Sequence, residues 1–268
     1  MTNILKKYHV SILGEGSQVM MFAAGFGCDQ RMWRLVAPHF EKDYKVVLFD
    51  YVGAGHSDIS QYHSEKYSSL DGYAEDVLEI LDAFDFTKVI FVGHSVSSMI
   101  GLLASIQRPE RFEKLIMVGP SPCYINDMPT YFGGFDRVAL EGLFDLMDKN
   151  YIGWANELAP VIMKNLERPE LAEELEESFC STDPVIANNF ARTTFFSDNR
   201  KDLPNAKVPS LIMQCAEDSI APREVGEYVL RNMPQSTISY MNATGHCPHL
   251  SHPTETITVI KDYLTSSK

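Results

Sequence analysis

At 268 residues and 45% hydrophobic, the chain can fill one large α/β core carrying an insertion, or two small domains, and no part of it reads as disordered. Its formal net charge of −13 repels nucleic acid and anionic membrane surfaces, so neither is expected as a partner. Five cysteines (Cys28, Cys123, Cys180, Cys215, Cys247), widely spaced and without a C-x-x-C, speak against a disulfide framework or a cysteine-based zinc site.

The first residues, MTNILKKYHVSIL, contain no apolar secretory run, and no later segment approaches the length of a membrane span. A cytoplasmic protein is expected. Residues 8–13 are predicted to begin an antiparallel edge hairpin turning at GEGS. Apolar runs at 18–23, 45–51, 88–93, 114–119, 210–216 and 237–242 are nearly unbroken, as in parallel strands covered on both faces. Helical patterns at 71–84, 96–106, 222–232 and 253–264 alternate with them, which predicts a doubly wound α/β sheet. Between Pro120 and Pro209 only helix signals remain. There Leu140, Leu143, Phe144, Met147, Tyr151, Trp154 and Leu158 step by three and four into one apolar stripe. Asp183-Pro184 reads as an N-cap and first helical residue, with Ile186, Phe190 and Ala191 inward. A helical cap inserted between two sheet strands is expected over 124–197, with 1–123 and 198–268 forming the core. Most of the cap's aromatic residues are expected to fill its own interior.

The stretch VIFVGHSVSSMIG (89–101) reads as strand, sharp turn, helix. Such a corner can hold Ser95 in a strained turn as a nucleophile, in the pattern G-x-S-x-G. Here Ser97 occupies the place of the last glycine, and a serine at this corner could equally be an N-cap. A nucleophilic serine needs a base, and the base needs a carboxylate. In this sheet type both follow the serine, in loops after later strands. PSLIMQCAEDSIAP ends a strand at Asp218, with adjacent Glu217 as second choice; TISYMNATGHCPHLSHP supplies His246. His249 and His252 follow at intervals of three, but no carboxylate or cysteine with ligand spacing joins them, so no metal is expected. No cofactor is expected either. Asp50, in FDYVGAGHSD beside His56 and Ser57, precedes the serine and is read as a turn residue. Acyl transfer also needs donors for an oxyanion. The amide of Val96 is one candidate. Gly25 and Gly27 in MMFAAGFGCDQ let a second loop bend towards the serine, making the Phe26 amide the other, although each glycine could be a plain turn.

With these residues in hand, the chain resembles the α/β-hydrolase family over essentially its whole length. It is similar in particular to the RsbQ-like bacterial stress regulators and to the plant strigolactone and karrikin receptors. GFGCDQRMW, LFDYVGAGHSD, GHSVS, MVGPSPCYINDMPTYFGGF, NYIGWA, FCSTDPVIA and GHCPHLSHP carry the likeness. It implies a V-shaped four-helix cap over a pocket lined by Phe26, Tyr124, Phe135, Leu143, Trp154, Leu158 and Phe195, above Ser95. It also accounts for serine at position 97, a form familiar in the plant receptors. Many relatives have histidine where this chain has Ala24. The implied ligand is a small, uncharged, mostly apolar ester or lactone. The RsbQ-like branch further implies a PP2C-type phosphatase with a PAS domain as partner, in a stress sigma-factor response.

Overall fold

The computed structural model of the chain describes residues 2–266. It opens with α1 (Thr2–Lys7), β1 (Ser11–Leu13), β2 (Val19–Ala23) and β3 (Lys45–Leu48). Then come α2 (Leu70–Ala83), β4 (Val89–His94), α3 (Val96–Gln107) and β5 (Phe112–Val118). Four helices follow in succession: α4 (Arg137–Lys149), α5 (Tyr151–Met163), α6 (Pro169–Cys180) and α7 (Pro184–Phe195). The chain closes with β6 (Ser210–Gln214), α8 (Arg223–Asn232), β7 (Ser236–Tyr240), α9 (Pro248–Ser251) and α10 (Pro253–Ser266). No described helix is long and apolar enough to cross a membrane.

The strands form one sheet in the order β1-β3-β2-β4-β5-β6-β7, and every pairing except β1 with β3 is parallel. β2, β4 and β6 are buried along their whole length, which is why apolar residues dominate them, with polar ones only at the ends of β4 and β6. Alternation sends successive side chains to opposite faces. Met21 and Phe91 pack with Val77, Leu81 and Ile100 of α2 and α3. Met20, Phe22, Ile90 and Val92 pack with Trp33 and with Ile260 and Leu264 of α10. A separate apolar cluster joins α4–α7 to the ends of the sheet loops, with Trp154, Phe179 and Phe195 at its centre.

The chain runs outward from β2 to β3 in one direction and from β4 to β5 in the other. The loops leaving β2 and β4 therefore diverge, and open α/β sheets bind ligands in the crevice left at such a reversal. Residues 24–30 and Ser95 sit on these two loops.

Two expectations need correction. The hairpin does not form: β1 skips β2 and pairs with β3, Ser11 opposite Leu48. GEGS crosses the end of β3 instead. Gly14 has φ +71, and a Cβ there would lie 2.2 Å from the Glu41 carbonyl oxygen, so the turn is packed on that backbone. The apolar stripe from Leu140 to Leu158 spans two helices rather than one, because Asn150 ends α4 and caps α5 by accepting from the Gly153 amide at 3.0 Å. Asp183 caps α7 as expected, accepting from the amides of Val185 and Ile186.

Candidate active site

Ser95 lies between β4 and α3 with φ 55 and ψ −124, a conformation that a non-glycine residue holds only when its surroundings impose it. Its amide donates to the Val118 carbonyl at 2.8 Å, fixing the turn to β5. The corner closes tightly: a Cβ on Gly93 would come 2.5 Å from the backbone oxygen of Ser97. Ser95 makes no side-chain cap to α3. Its Oγ lies 2.8 Å from Nε2 of His246, which decides between the two sequence readings of this serine.

His246 stands on the turn after β7, and its amide donates to the Ile162 carbonyl at 2.8 Å, so α5 holds the turn in place. Its Nδ1 lies 2.7 Å from Asp218 Oδ2. The other carboxylate oxygen accepts from the amides of Ile220 and Ala221 at 2.8 and 2.9 Å. Burial pushes the Asp218 carboxyl up, but His246 and these two amides outweigh it and hold it below the usual carboxylate range. An ionised Asp218 accepts a hydrogen bond from His246 Nδ1–H and so holds the proton on that nitrogen, which leaves the Nε2 lone pair facing Ser95. Glu217 is exposed and pairs with Lys164 at 3.0 Å, so it plays no part in this chain of contacts. Asp50 is buried and accepts from the amides of Gln30 and His56, both at 2.9 Å, bracing two loops away from the serine.

A second group of polar side chains lies behind the first. His94 Nε2 donates to the His246 carbonyl at 2.9 Å. His249 stacks on Trp33, with ring centroids 4.6 Å apart, and on His94, at 4.5 Å. Burial, reinforced by His246, lowers His94 to about 3, and burial with His94 lowers His249 far below its usual value. Both rings are therefore neutral. Ligand atoms of His94, Cys247 and His249 lie within 4.8 Å of one another. The free Nδ1 of His94 is blocked, since a Cβ on Gly25 would sit 2.6 Å from it, so the loop backbone occupies its approach. His252 belongs elsewhere, with Nδ1 2.9 Å from Ser251 Oγ.

The loop after β2 folds over the serine. Among the described residues neither the Phe26 nor the Val96 amide donates to a protein acceptor, so both are free for a ligand. Gly27 has φ +69, and a Cβ there would lie 2.2 Å from the Phe179 ring. The Phe26 ring packs on Trp154, Phe179, Phe190 and Phe195, at centroid distances from 5.7 to 6.4 Å.

Above Ser95 and His246 is a narrow apolar cavity of about 30 Å³. Of the pocket residues implied by the family resemblance, Phe26, Tyr124 and Phe195 line it. Phe135, Leu143, Trp154 and Leu158 do not: they stand in the next layer, Phe135 6.0 Å behind Phe195 and Trp154 5.3 Å behind Phe179, measured between ring centroids. The wall is completed by Cys28, Ile162, Leu175, Phe179, Thr194 and Ile220. None of these was implied as a pocket residue by the sequence; the four-residue step from Leu175 to Phe179 is the signal that could have found those two, and Thr194 carries none. Tyr124 and Thr194 each bury a hydroxyl without a hydrogen-bond partner. Burial raises the Tyr124 phenol; the Ser95 hydroxyl, near it but outside hydrogen-bonding geometry, draws it part of the way back.

The serine stands at a strained strand-to-helix corner, and its acid and then its base follow it in chain order on later loops. The family model for the α/β hydrolase fold matches residues 18–255. The chain belongs to the α/β-hydrolase family. It is 40% identical to a strigolactone esterase of Pisum sativum over 253 residues, covering 94% of each chain. It is 41% identical to a karrikin insensitive 2 receptor of Petunia hybrida over 254 residues, again covering 94% of each. A hydrolase from Oleispira antarctica superposes with a TM-score of 0.96 at 46% identity, covering 98% of this chain and 97% of that one. This α/β hydrolase is thus an enzyme of the esterase type, with Ser95, His246 and Asp218 arranged as a triad.

Proposed function

We propose that the protein hydrolyses a small, uncharged, mostly apolar ester or lactone through a covalent Ser95 intermediate. The observation that carries this reading is the contact chain from Ser95 Oγ to His246 to Asp218, placed at the floor of an apolar cavity. Ser95 Oγ attacks the ester carbonyl carbon while His246 Nε2 takes its proton. The amides of Val96 and Phe26 receive the negative charge on the carbonyl oxygen. Collapse of the adduct expels the alcohol, which takes the proton back from His246. Water, deprotonated by His246, then attacks the acyl-enzyme, releases the acid and restores Ser95. The unpartnered Tyr124 and Thr194 hydroxyls favour a substrate with an acceptor oxygen besides its ester carbonyl, since each buried donor gains by finding a partner. No Lys or Arg lines the cavity, so anionic substrates are disfavoured.

The test is covalent labelling by a serine-directed phosphonate and hydrolysis of a panel of neutral and anionic esters. Ser95→Ala and His246→Ala are expected to lose both activities. Labelling that persists at another residue, or faster turnover of a dianionic phosphate ester, would refute the assignment.

A regulatory reading extends this one. The cavity has room for only a water or two, so a ligand must displace the cap helices to enter. Ligand occupancy and cap position are then linked, and the outer cap presents exposed Val138, Ile152, Val161 and Val185 as an interface. On this reading the protein is a small-molecule-dependent positive regulator of a PAS-domain PP2C-type phosphatase in a stress sigma-factor response. The alternative, a free-standing carboxylesterase or lactonase, uses the same site. Reconstitution separates them: a phosphatase that responds equally to wild type and Ser95→Ala, or to neither with substrate supplied, leaves the free-standing enzyme.

A further inference from the structure

The fifth place of the elbow pattern holds Ser97 instead of glycine, and its hydroxyl is engaged. Ser97 is fully buried. Its Oγ donates to the carbonyl of Ala24 and lies 3.0 Å from the Tyr51 hydroxyl. A carbonyl oxygen can only accept and a serine has one proton to give, so Tyr51 must donate to Ser97 and Ser97 to Ala24. The result is a one-directional chain of hydrogen bonds from the segment after β3, through the first turn of α3, to the loop after β2. Tyr51 and Ala24 are themselves buried, and burial raises the Tyr51 phenol, which keeps it protonated as the donor.

Ala24 is the residue before Gly25 and Phe26. The loop at Gly25 runs hard against the elbow, since a Cβ there would lie 2.6 Å from His94 Nδ1 and 3.3 Å from Ser95 Cβ. Only glycine fits this approach, and glycine leaves the direction of the following peptide unconstrained by its own sterics. The hydrogen bond on the preceding carbonyl supplies the missing constraint.

We infer that Ser97 is a positioning residue which, by fixing the Ala24 carbonyl, aims the Phe26 amide at the oxygen that becomes negative during acyl transfer. The inference rests on the serine-hydrolase reading above. Glycine at this position would leave the Ala24 carbonyl and the Tyr51 hydroxyl buried without these partners, so the serine here is not an interchangeable small residue.

The experiment compares wild type with Ser97→Ala, Ser97→Gly and Tyr51→Phe on a small activated ester. Affinity for a trifluoromethyl ketone, whose serine adduct places an oxyanion at the same amides, is measured in parallel. Losing an oxyanion donor outright typically costs a hundredfold or more, so misaiming one is expected to lower kcat by about ten- to a hundredfold in the Ser97 variants. KM should change by less than about threefold, and ketone affinity should fall with kcat/KM. Tyr51→Phe, which leaves the elbow untouched, is expected to lower kcat by about threefold or more in the same pattern, and it carries the test alone if the Ser97 variants do not fold. Ser95-dependent hydrolysis with kcat and ketone affinity within about twofold of wild type in the folded variants would overturn this inference alone. Full hydrolysis by Ser95→Ala would overturn the serine reading, and this inference with it.

Discussion

Lowering the pH from 7 to 5 should destabilise the fold by roughly 4 kcal/mol through His94 and His249 alone. In the unfolded chain each ring takes up its proton at the ordinary value of 6.5. In the native structure burial holds His94 to about 3 and His249 far below its usual value, so neither ring charges in this interval. The unfolded state therefore binds more protons, and native stability falls as the pH falls, from just above 6.5 down towards about 3. Integrating one such group between pH 7 and 5 gives about 2 kcal/mol. His94→Gln keeps a donor within reach of the His246 carbonyl but removes the titration. Denaturant unfolding of wild type and variant at pH 7, 6 and 5 should show the acid loss reduced by about 2 kcal/mol in His94→Gln. An unchanged pH dependence in the variant, or an NMR titration of His94 near 6 in the native protein, would refute the argument.

Asp218→Asn should lower kcat by about 10⁴-fold while leaving unfolding at neutral pH close to wild type, because the amide presents the wrong tautomer to His246. Stopped assays against thermal unfolding will check the pair. Gly27→Ala combines a strained φ with a clash on the Phe179 ring, and calorimetry should show a loss of about 2 kcal/mol or more, with a Tm lower by several degrees. His249→Ala removes a buried ring from between Trp33 and His94, at a cost of about 3 kcal/mol, yet Ser95 should still be labelled by a small phosphonate.

The parallel strands and the order of Ser95, Asp218 and His246 were legible because each rests on local pattern: apolar runs, a strand-to-helix corner, and loops at strand ends. The pairing of β1 was not, because GEGS carries turn chemistry whichever strand receives it, and only packing against Glu41 and Tyr44 decides. The cap's stripe revealed which face turns inward but not how deep each side chain lies. Trp154 and Leu158 share that face and still do not line the cavity, Trp154 standing behind Phe179. His94 passed unnoticed because the place before the serine is unspecified in the motif, and its value comes from the His246 carbonyl, 152 residues away in the chain. Ser97 was read as a tolerated imperfection, since the sequence brings the loop after β2 towards the elbow but does not show which of its carbonyls a side chain at position 97 would meet.

Phe26 belongs to the sheet domain by its backbone and to the cap by its ring. Its amide lies on the loop after β2 and donates to no described protein acceptor, while the ring is wedged among Trp154 of α5, Phe179 of α6, and Phe190 and Phe195 of α7. Helices that swing away to admit a substrate must either drag this ring along or leave it exposed to water, and both disturb the peptide that carries the amide. With the oxyanion role proposed for the Phe26 amide, admission and reactivity would alternate: the enzyme would be a poor catalyst while its door is ajar and regain its full donor set only after the aromatic cluster has closed around the guest. Very small activated esters, which slip in without lifting the cap, will on this account report the chemical step. Bulkier ones will report the time taken to shut.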